Sequence, residues 1–174
     1  ISFELEEQRV LEGITYVPRS GGGNGNFTAF EILISDNGKD FRKIKDGNWK
    51  ANGEEKVEIF DKTTPKYIRL AATAAQRDFG SAAEIKLHLG DVAPDLNGLN
   101  TLINEAKAIE KGNFTQESFE ELKEEIKAAE ELGKNPLADT NDVELMKRSL
   151  SEKIVGLRLM AKNPSTENND KPEG

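Results

Sequence analysis

The hydrophobic pattern of this chain changes its period near Pro94, and this change constrains the fold more than any other feature. Before Pro94, apolar and polar residues alternate in short runs, which is typical of β-strands that bury one face. After Pro94, apolar residues recur every three or four positions, which is typical of amphipathic α-helices. A chain of 174 residues therefore holds two kinds of domain, one built of strands and one built of helices.

Short strands separated by turn signals fill the first half of the sequence. Residues 1–5 already alternate like a strand, so we expect the chain to be an excised fragment. Further strands are predicted at residues 9–17, 30–35, 56–60, 66–70 and 83–89. Turns are predicted at Asn37-Gly38, Asp46-Gly47 and Asn52-Gly53. This spacing predicts an antiparallel β-sandwich of the jelly-roll type over residues 1–92.

Three apolar stripes follow, each at helical spacing. They begin at Leu96, Phe119 and Val143 and predict a three-helix bundle over residues 93–161. Residues 111–113 and 133–136 are predicted to end the first and second helices. Thr115, and either Asp139 or Thr140, are predicted to be N-caps. Residues 162–174 contain no apolar side chain, so they are predicted to form a disordered linker.

Charge and composition exclude several classes of function. The net charge of −8 provides no basic face for nucleic acid, and no apolar run approaches the roughly 20 residues that membrane insertion needs. The absence of cysteine excludes disulfides, thiol nucleophiles and thiolate metal sites. The single histidine, His88, has no partner at a recognisable catalytic spacing and is expected to be structural. We therefore expect no enzyme active site in this segment, and we expect a monomer.

Several spaced motifs in the first half resemble a known family. Residues 13–19 lead into a glycine-rich loop with Asn24-Gly25, and residues 30–38 follow as a strand and a turn. Later motifs in the same order are residues 47–49, 66–70 and 79–85. Together they resemble the discoidin or coagulation factor 5/8 type C domain, a galactose-binding-like β-sandwich. Within that superfamily the segment is most similar to the family 32 carbohydrate-binding modules of bacterial glycosidases.

The resemblance implies a sugar site made by Arg19, Asn24 and Phe79. Arg19 and Asn24 keep the five-residue spacing of the family's arginine and asparagine, and Phe79 lies on the loop that carries a stacking aromatic. A guanidinium offers a fork of donors to vicinal hydroxyls, and an amide adds an acceptor and donors. The alternative is that Arg19 pairs with a carboxylate and Phe79 packs at the rim of the core. The single tryptophan, Trp49, is expected to pack in the domain and not to bind sugar.

The resemblance also implies features that this chain holds only in part. The family domain is about one and a half times as long as residues 1–92, and its first segment provides a site histidine and most ligands of a structural calcium. Glu84 matches the late side-chain ligand of that calcium. Without the first segment the calcium site is expected to be incomplete, and the sandwich is expected to expose sheet edges.

The helical half resembles the FIVAR repeat, a three-helix module that neighbours such sugar-binding domains in Gram-positive surface enzymes. The combined resemblance implies a non-catalytic carbohydrate-binding and spacer segment of a secreted or cell-wall-anchored glycoside hydrolase. It implies an extracellular location and a glycan partner containing galactose or N-acetylhexosamine. By analogy, the parent enzyme is an endo-β-N-acetylglucosaminidase or a hexosaminidase acting on host glycans. The alternative is a protein-interaction or spacer segment that binds no sugar.

Overall fold

An antiparallel β-sandwich followed by three helices forms the described part of the chain, in agreement with the fold predicted from the sequence. The computed structural model describes residues 1–21 and 23–158, so the predicted linker lies outside the described residues. The described residues form two compact units: the first takes residues 1–96 and 135–143, and the second takes residues 97–134 and 144–158. The domain bounds expected from the sequence, 1–92 and 93–161, stay a prediction.

Seven strands build the sandwich. They are β1 (Ser2–Glu4), β2 (Arg9–Val17), β3 (Phe27–Ser35), β4 (Arg42–Asn48), β5 (Lys56–Thr63), β6 (Tyr67–Ala75) and β7 (Glu84–Val92). One sheet has the order β1-β6-β3-β4 and the other the order β5-β2-β7, with every neighbouring pair antiparallel. Within the described residues, each sheet ends in strands that pair on one side only. The edge strand β4 carries exposed charged side chains, which disfavour pairing with another chain.

The core lies between the two sheets and draws its side chains from their central strands. In β2 the buried side chains are those of Leu11, Ile14 and Tyr16. The pairing of β2 with β5 is irregular between Leu11 and Gly13. This irregularity lets Leu11, Ile14 and Tyr16 all face the core, although the first two are three residues apart and the last two are two apart. The opposite sheet contributes Phe30, Ile32, Ile34, Ile68 and Leu70. Burial of these apolar surfaces is the main favourable contribution to the folding of this unit.

Trp49 packs in the sandwich, as expected from the sequence. Its ring stacks on Phe30 at a centroid distance of 4.0 Å and on Tyr16 at 5.0 Å. Its indole Nε1 donates to the Glu58 carboxylate at 2.7 Å, and Lys45 lies 3.1 Å from that same carboxylate group. These contacts satisfy the polar edge of the ring while its faces are covered by aromatic neighbours. Trp49 is therefore a structural residue.

One turn prediction was wrong. Asp46-Gly47 lies inside β4, where Gly47 pairs with Phe30 of β3. A Cβ on residue 47 would lie 3.1 Å from the Phe30 ring, so the glycine makes room for an aromatic side chain of the core. The glycine thus reflects close packing of the strand against a ring and not a change of chain direction.

Three helices follow the sandwich: α1 (Leu96–Lys107), α2 (Gln116–Gly133) and α3 (Thr140–Val155). Each buries a stripe on one face, and the fully or nearly buried members include Leu99, Ile103, Leu122, Ala129 and Leu150. Ion pairs join α1 to α2 through Lys107 and Glu130 at 2.7 Å, and α2 to α3 through Lys153 and Glu121 at 3.0 Å. Among the described helices, none has the length and apolar character that crossing a membrane requires.

The helix boundaries agree with the predicted caps. Thr115 lies just before α2, and its hydroxyl accepts a hydrogen bond from the Ser118 amide at 3.3 Å. Of the two candidates before α3, Asp139 is the residue whose carboxylate accepts from the backbone, at 2.8 Å from the Asn141 amide. Such side-chain acceptors satisfy amide groups that have no partner inside the helix.

Candidate functional site

The first loop of the candidate site connects β2 to β3 and includes Arg19, Asn24 and Asn26. Its glycine content is required by its backbone, because Gly23 and Gly25 have φ angles of +72° and +79°. At Gly25 space is also limiting, since a Cβ there would lie 2.5 Å from Ser81 Oγ and 2.8 Å from the Phe79 ring. The loop therefore packs directly against the segment that carries Phe79.

The second loop connects β6 to β7 and begins with a short 3-10 turn, Gln76–Asp78. Arg77 and Asp78 have φ angles of 62° and 60°, in the left-handed region that side chains other than glycine seldom adopt. Two such residues in succession indicate backbone strain, which proteins tend to retain at functional sites. Phe79 follows at once, and about half of its surface is exposed.

Hydrogen bonds join the two loops along their length. The Gly25 amide donates to the Gln76 carbonyl at 3.0 Å, and the Gln76 amide donates to the Asn26 carbonyl at 3.0 Å. The Ser81 amide donates to the Gly25 carbonyl at 2.8 Å, and the Ser81 hydroxyl donates to the Asn24 carbonyl at 3.1 Å. Loops far apart in sequence are thereby held in a fixed relation.

Tyr16 of β2 supports this pair of loops from the core. Its hydroxyl donates to the Ser81 carbonyl at 2.7 Å and accepts from the Phe27 amide at 3.1 Å. Burial raises the pKa of the Tyr16 phenol above its ordinary value, and the hydrogen bond from the Phe27 amide lowers it by less. The hydroxyl therefore stays protonated at neutral pH and keeps its role as donor.

Arg19 is exposed and borders a shallow cavity of about 400 Å³ between the first loop and the turn after β4. The other residues around it are Ser20, Gly21, Gly23, Asn26, Ala51, Asn52, Gly53 and Gln76. Within the described residues, no carboxylate forms an ion pair with Arg19, in contrast to the alternative considered from the sequence. Its guanidinium donors are thus available to a ligand.

The structure therefore places the three predicted site residues as follows. Arg19 borders the cavity, whereas Asn24 and Phe79 are not among the residues that line it. Gly25, the residue after Asn24, packs against the Phe79 ring. Two further residues at the cavity, Asn26 and Gln76, were not predicted. Each has a side-chain oxygen that is buried and lacks a hydrogen-bond partner within the described residues. The sequence contained no sign of them, because an asparagine after a glycine looks like any other loop residue.

Glu84 lies at the start of β7, where it pairs with Val17 of β2. Its carboxylate is exposed and lies 3.6 Å from the Lys86 ammonium. Among the described residues, no group of three or more acidic or histidine side chains could hold a metal ion. Because calcium takes six to eight oxygen ligands, the side chains described do not fit a complete calcium site. That the calcium site is incomplete in this segment stays a prediction.

His88 has a structural environment, as expected. Its Nε2 lies 2.7 Å from the Thr15 hydroxyl of the neighbouring strand β2. A Cβ on Gly13 would lie 2.7 Å from His88 Nδ1, so the imidazole fills the space over that glycine. This close packing between strands accounts for the only histidine of the chain.

Comparison with known proteins agrees with this description. Residues 1–85 match the sequence model of the F5/8 type C domain. A solved CBM32-5 module of a Clostridium perfringens GH89 protein, in complex with GalNAc-β-1,3-galactose, is 38% identical with a TM-score of 0.49; the match covers 49% of this chain and 62% of that one. The family 32 module of C. perfringens NanJ, in complex with galactose, is 29% identical with a TM-score of 0.47, over 49% and 63% of the two chains.

A third solved structure covers more of this chain. It contains the CBM32-1, CBM32-2 and M60 catalytic domains of C. perfringens ZmpB, is 26% identical and has a TM-score of 0.46. The match covers 94% of this chain and 16% of that one. By contrast, the chain spans less than two thirds of the length of the GH89 and NanJ modules.

The resemblance inferred from the sequence is thus confirmed for the sandwich, whereas the FIVAR assignment of the helices stays a prediction. The matched part resembles non-catalytic modules, in agreement with the expectation of no active site. Residues 1–85 of this chain carry the sequence signature of the F5/8 type C domain on an antiparallel β-sandwich.

Proposed function

We propose that this segment is a non-catalytic carbohydrate-binding module, with Arg19, Asn24 and Phe79 as its principal ligand contacts. The observation that carries the proposal is the position of Arg19, which borders a cavity and forms no ion pair within the described residues. The F5/8 type C match over residues 1–85 supports the same function. The GH89 and NanJ modules described above are in complex with GalNAc-β-1,3-galactose and with galactose, so we test ligands of this class.

The geometry suits a sugar in two ways. Arg19 can donate from its guanidinium fork to two adjacent hydroxyl oxygens, and the Asn24 amide can both donate and accept. Phe79 is 49% exposed, which leaves a ring face free to cover the C–H face of a pyranose. The hydrogen bonds between the two loops hold Asn24 and Phe79 in place before the ligand arrives, which lowers the entropic cost of binding.

The test is a titration of the chain with galactose, N-acetyllactosamine and N-acetylglucosamine, followed by two-dimensional amide NMR. We expect shifts confined to residues 19–26 and to the loop of Phe79. In Arg19→Ala we expect affinity to fall by tenfold or more, on the order of the loss of one charge-assisted hydrogen bond. Arg42→Ala is the matched control, because Arg42 is an exposed arginine of β4.

Three outcomes would contradict the proposal. If none of the three sugars moved a resonance of the folded chain, the segment would not be a module for these glycans. If a sugar bound with equal affinity to the wild type and to Arg19→Ala, the site would lie elsewhere. Equal losses in Arg19→Ala and Arg42→Ala would indicate a general effect of charge.

We further propose that the segment belongs to an extracellular glycoside hydrolase, secreted or wall-anchored, and acts there as a monomer that directs the enzyme to glycans. The helical half would serve as a FIVAR-type spacer, which its three helices with one buried stripe each would suit. The parent enzyme would be of the endo-β-N-acetylglucosaminidase or hexosaminidase type. Assay of the full-length protein on glycoproteins and on chromogenic N-acetylhexosaminides tests the class, and light scattering of this chain tests the monomer.

A further inference from the structure

Two side-chain oxygens beside Arg19 have no hydrogen-bond donor within the described residues: Asn26 Oδ1 and Gln76 Oε1. Both residues border the same cavity as Arg19. Asn26 is only 2% exposed, and a buried carbonyl oxygen without a donor destabilises the state that contains it. Native proteins pair nearly all such groups, so an exception calls for an explanation.

The orientation of the Asn26 amide is fixed by its other end. Its Nδ2 donates to the backbone carbonyl of Asn52 at 3.1 Å. Exchanging the nitrogen and oxygen would place two carbonyl oxygens against each other, which is unfavourable. The bond to Asn52 therefore leaves Oδ1 of Asn26 as the acceptor that has no partner within the described residues.

The Gln76 side chain reaches the same place over Gly23. A Cβ on residue 23 would lie 2.7 Å from Gln76 Oε1 and 3.8 Å from Asn26 Nδ2. In this arrangement the Gln76 amide occupies the space that a Cβ on residue 23 would take. The strained residues Arg77 and Asp78 follow Gln76 directly and fix the direction in which its backbone leaves β6.

We propose that Asn26 and Gln76 form an acceptor subsite for the glycan held by Arg19. Donor groups of the sugar, either hydroxyl or acetamido N–H, donate to Asn26 Oδ1 and Gln76 Oε1, while the guanidinium donates to a neighbouring sugar oxygen. The inference rests on the proposed glycan binding and adds a selection rule to it. A ligand must present hydrogen-bond donors next to an acceptor oxygen, and deoxygenation or O-methylation at that position weakens binding.

Both oxygens are closed off from solvent in the ligand-free structure, so the amides must turn towards an arriving sugar. For Gln76 this rotation breaks no side-chain hydrogen bond formed within the described residues. For Asn26 it weakens the bond to Asn52. Gln76 is therefore the residue whose replacement tests the subsite with the least disturbance of the loop.

The experiment compares Gln76→Met with the wild type in titrations with galactose and N-acetylgalactosamine. Methionine keeps the length of the side chain and removes the acceptor, while the backbone bonds of Gln76 to Gly25 and Asn26 remain. Gln116→Met is the matched control, because Gln116 lies on α2 and its side chain bonds only a helix carboxylate, Glu120. We expect about tenfold weaker binding for Gln76→Met, as for one lost hydrogen bond, and unchanged binding for Gln116→Met.

The outcomes separate this inference from the proposed function. Suppose that the wild type binds sugar and that Arg19→Ala loses affinity while Gln76→Met keeps it. The subsite is then overturned, and the proposed glycan binding stands. If the wild type binds neither sugar, the subsite and the proposed glycan binding are both contradicted. A greater loss for galactose assigns the donor to a hydroxyl, and a greater loss for N-acetylgalactosamine assigns it to the acetamido group; either supports the subsite.

A second readout does not depend on affinity. The side-chain NH₂ groups of Asn26 and Gln76 give their own cross-peaks in an amide NMR spectrum. If sugar donors reach Asn26 Oδ1 and Gln76 Oε1, both pairs of cross-peaks shift at the same ligand concentrations as the backbone amides of the loop. Side-chain cross-peaks that stay in place while the loop amides shift would contradict the subsite.

Discussion

The Tyr16 hydroxyl donates a hydrogen bond of 2.7 Å to the carbonyl oxygen of Ser81. The same hydroxyl accepts from the Phe27 amide at 3.1 Å, so one side chain of β2 holds both the start of β3 and the loop that carries Phe79. The phenol ring lies in the core and stacks on Phe27 at 4.6 Å. The Tyr16 hydroxyl therefore ties the site loops to the core.

Removing that hydroxyl should destabilise the sandwich. In Tyr16→Phe the ring remains, but the Phe27 amide and the Ser81 carbonyl lose their shared partner. We expect the free energy of unfolding to fall by about 1–3 kcal/mol, since buried polar groups are left unpaired. Urea denaturation measures the change. Tyr67→Phe is the control, because the Tyr67 hydroxyl bonds the exposed carboxylate of Glu4, and a change of equal size there would contradict the role assigned to Tyr16.

Stability should decline in alkaline solution because of the same group. Burial raises the pKa of Tyr16 in the folded chain, so the unfolded chain releases this proton at a lower pH. Above the ordinary phenol pKa of about 10, the unfolded state binds fewer protons than the folded state, and the free energy of unfolding falls as pH rises. Denaturation at several pH values up to about 11 should show a steeper fall for the wild type than for Tyr16→Phe. Equal slopes would show that Tyr16 does not carry the effect.

Replacing Gly25 should disturb the site more than replacing Gly53. Gly25 has a φ of +79°, and a Cβ there meets Ser81 Oγ at 2.5 Å, whereas a Cβ on Gly53 has nothing within 4 Å. We expect Gly25→Ala to lower the free energy of unfolding by about 1–3 kcal/mol and Gly53→Ala to leave it unchanged or raise it slightly. Thermal unfolding of both variants measures the difference. Equal stability of the two would mean that the loops are not packed as described.

Calcium should not stabilise this chain. Glu84 faces Lys86, and no cluster of three or more acidic or histidine side chains within the described residues can ligate a metal. An ion that binds only the folded state raises the melting temperature once its concentration exceeds its dissociation constant, so a complete site would be visible in a thermal scan. We expect the same melting temperature with millimolar calcium and with chelator. If calcium raised the melting temperature of the wild type but not that of Glu84→Gln, the prediction would be wrong and Glu84 would be a calcium ligand.

Much of the fold could be predicted from the sequence, because both apolar periods are strong. The strand at β2 and the end of α2 at Gly133 were placed at the observed residues. Strand β4 was missed, since its sequence is mostly charged and only its pairing with β3 makes it a strand. Strand β6 continues to Ala75 through alanines with little strand propensity, again because a neighbouring strand provides hydrogen bonds.

The sequence predicted candidate site residues only where it resembles a family. Arg19, Asn24 and Phe79 were predicted from their positions relative to known motifs, and their role in binding stays a prediction. Asn26 and Gln76 were not predicted, because they meet through a contact between loops that are far apart in sequence. Unpaired acceptors follow from three-dimensional packing, and no local pattern of residue types indicates them.

The stack around Trp49 has a practical consequence. This is the only tryptophan, and the two tyrosines, Tyr16 and Tyr67, lie in strands of the sandwich. Tryptophan and tyrosine fluorescence therefore reports on the sandwich alone. The helical signal in far-ultraviolet circular dichroism reports on α1, α2 and α3. Melting curves recorded by both signals from one unlabelled sample would coincide if the halves unfold as one cooperative unit and would separate if each half unfolds on its own.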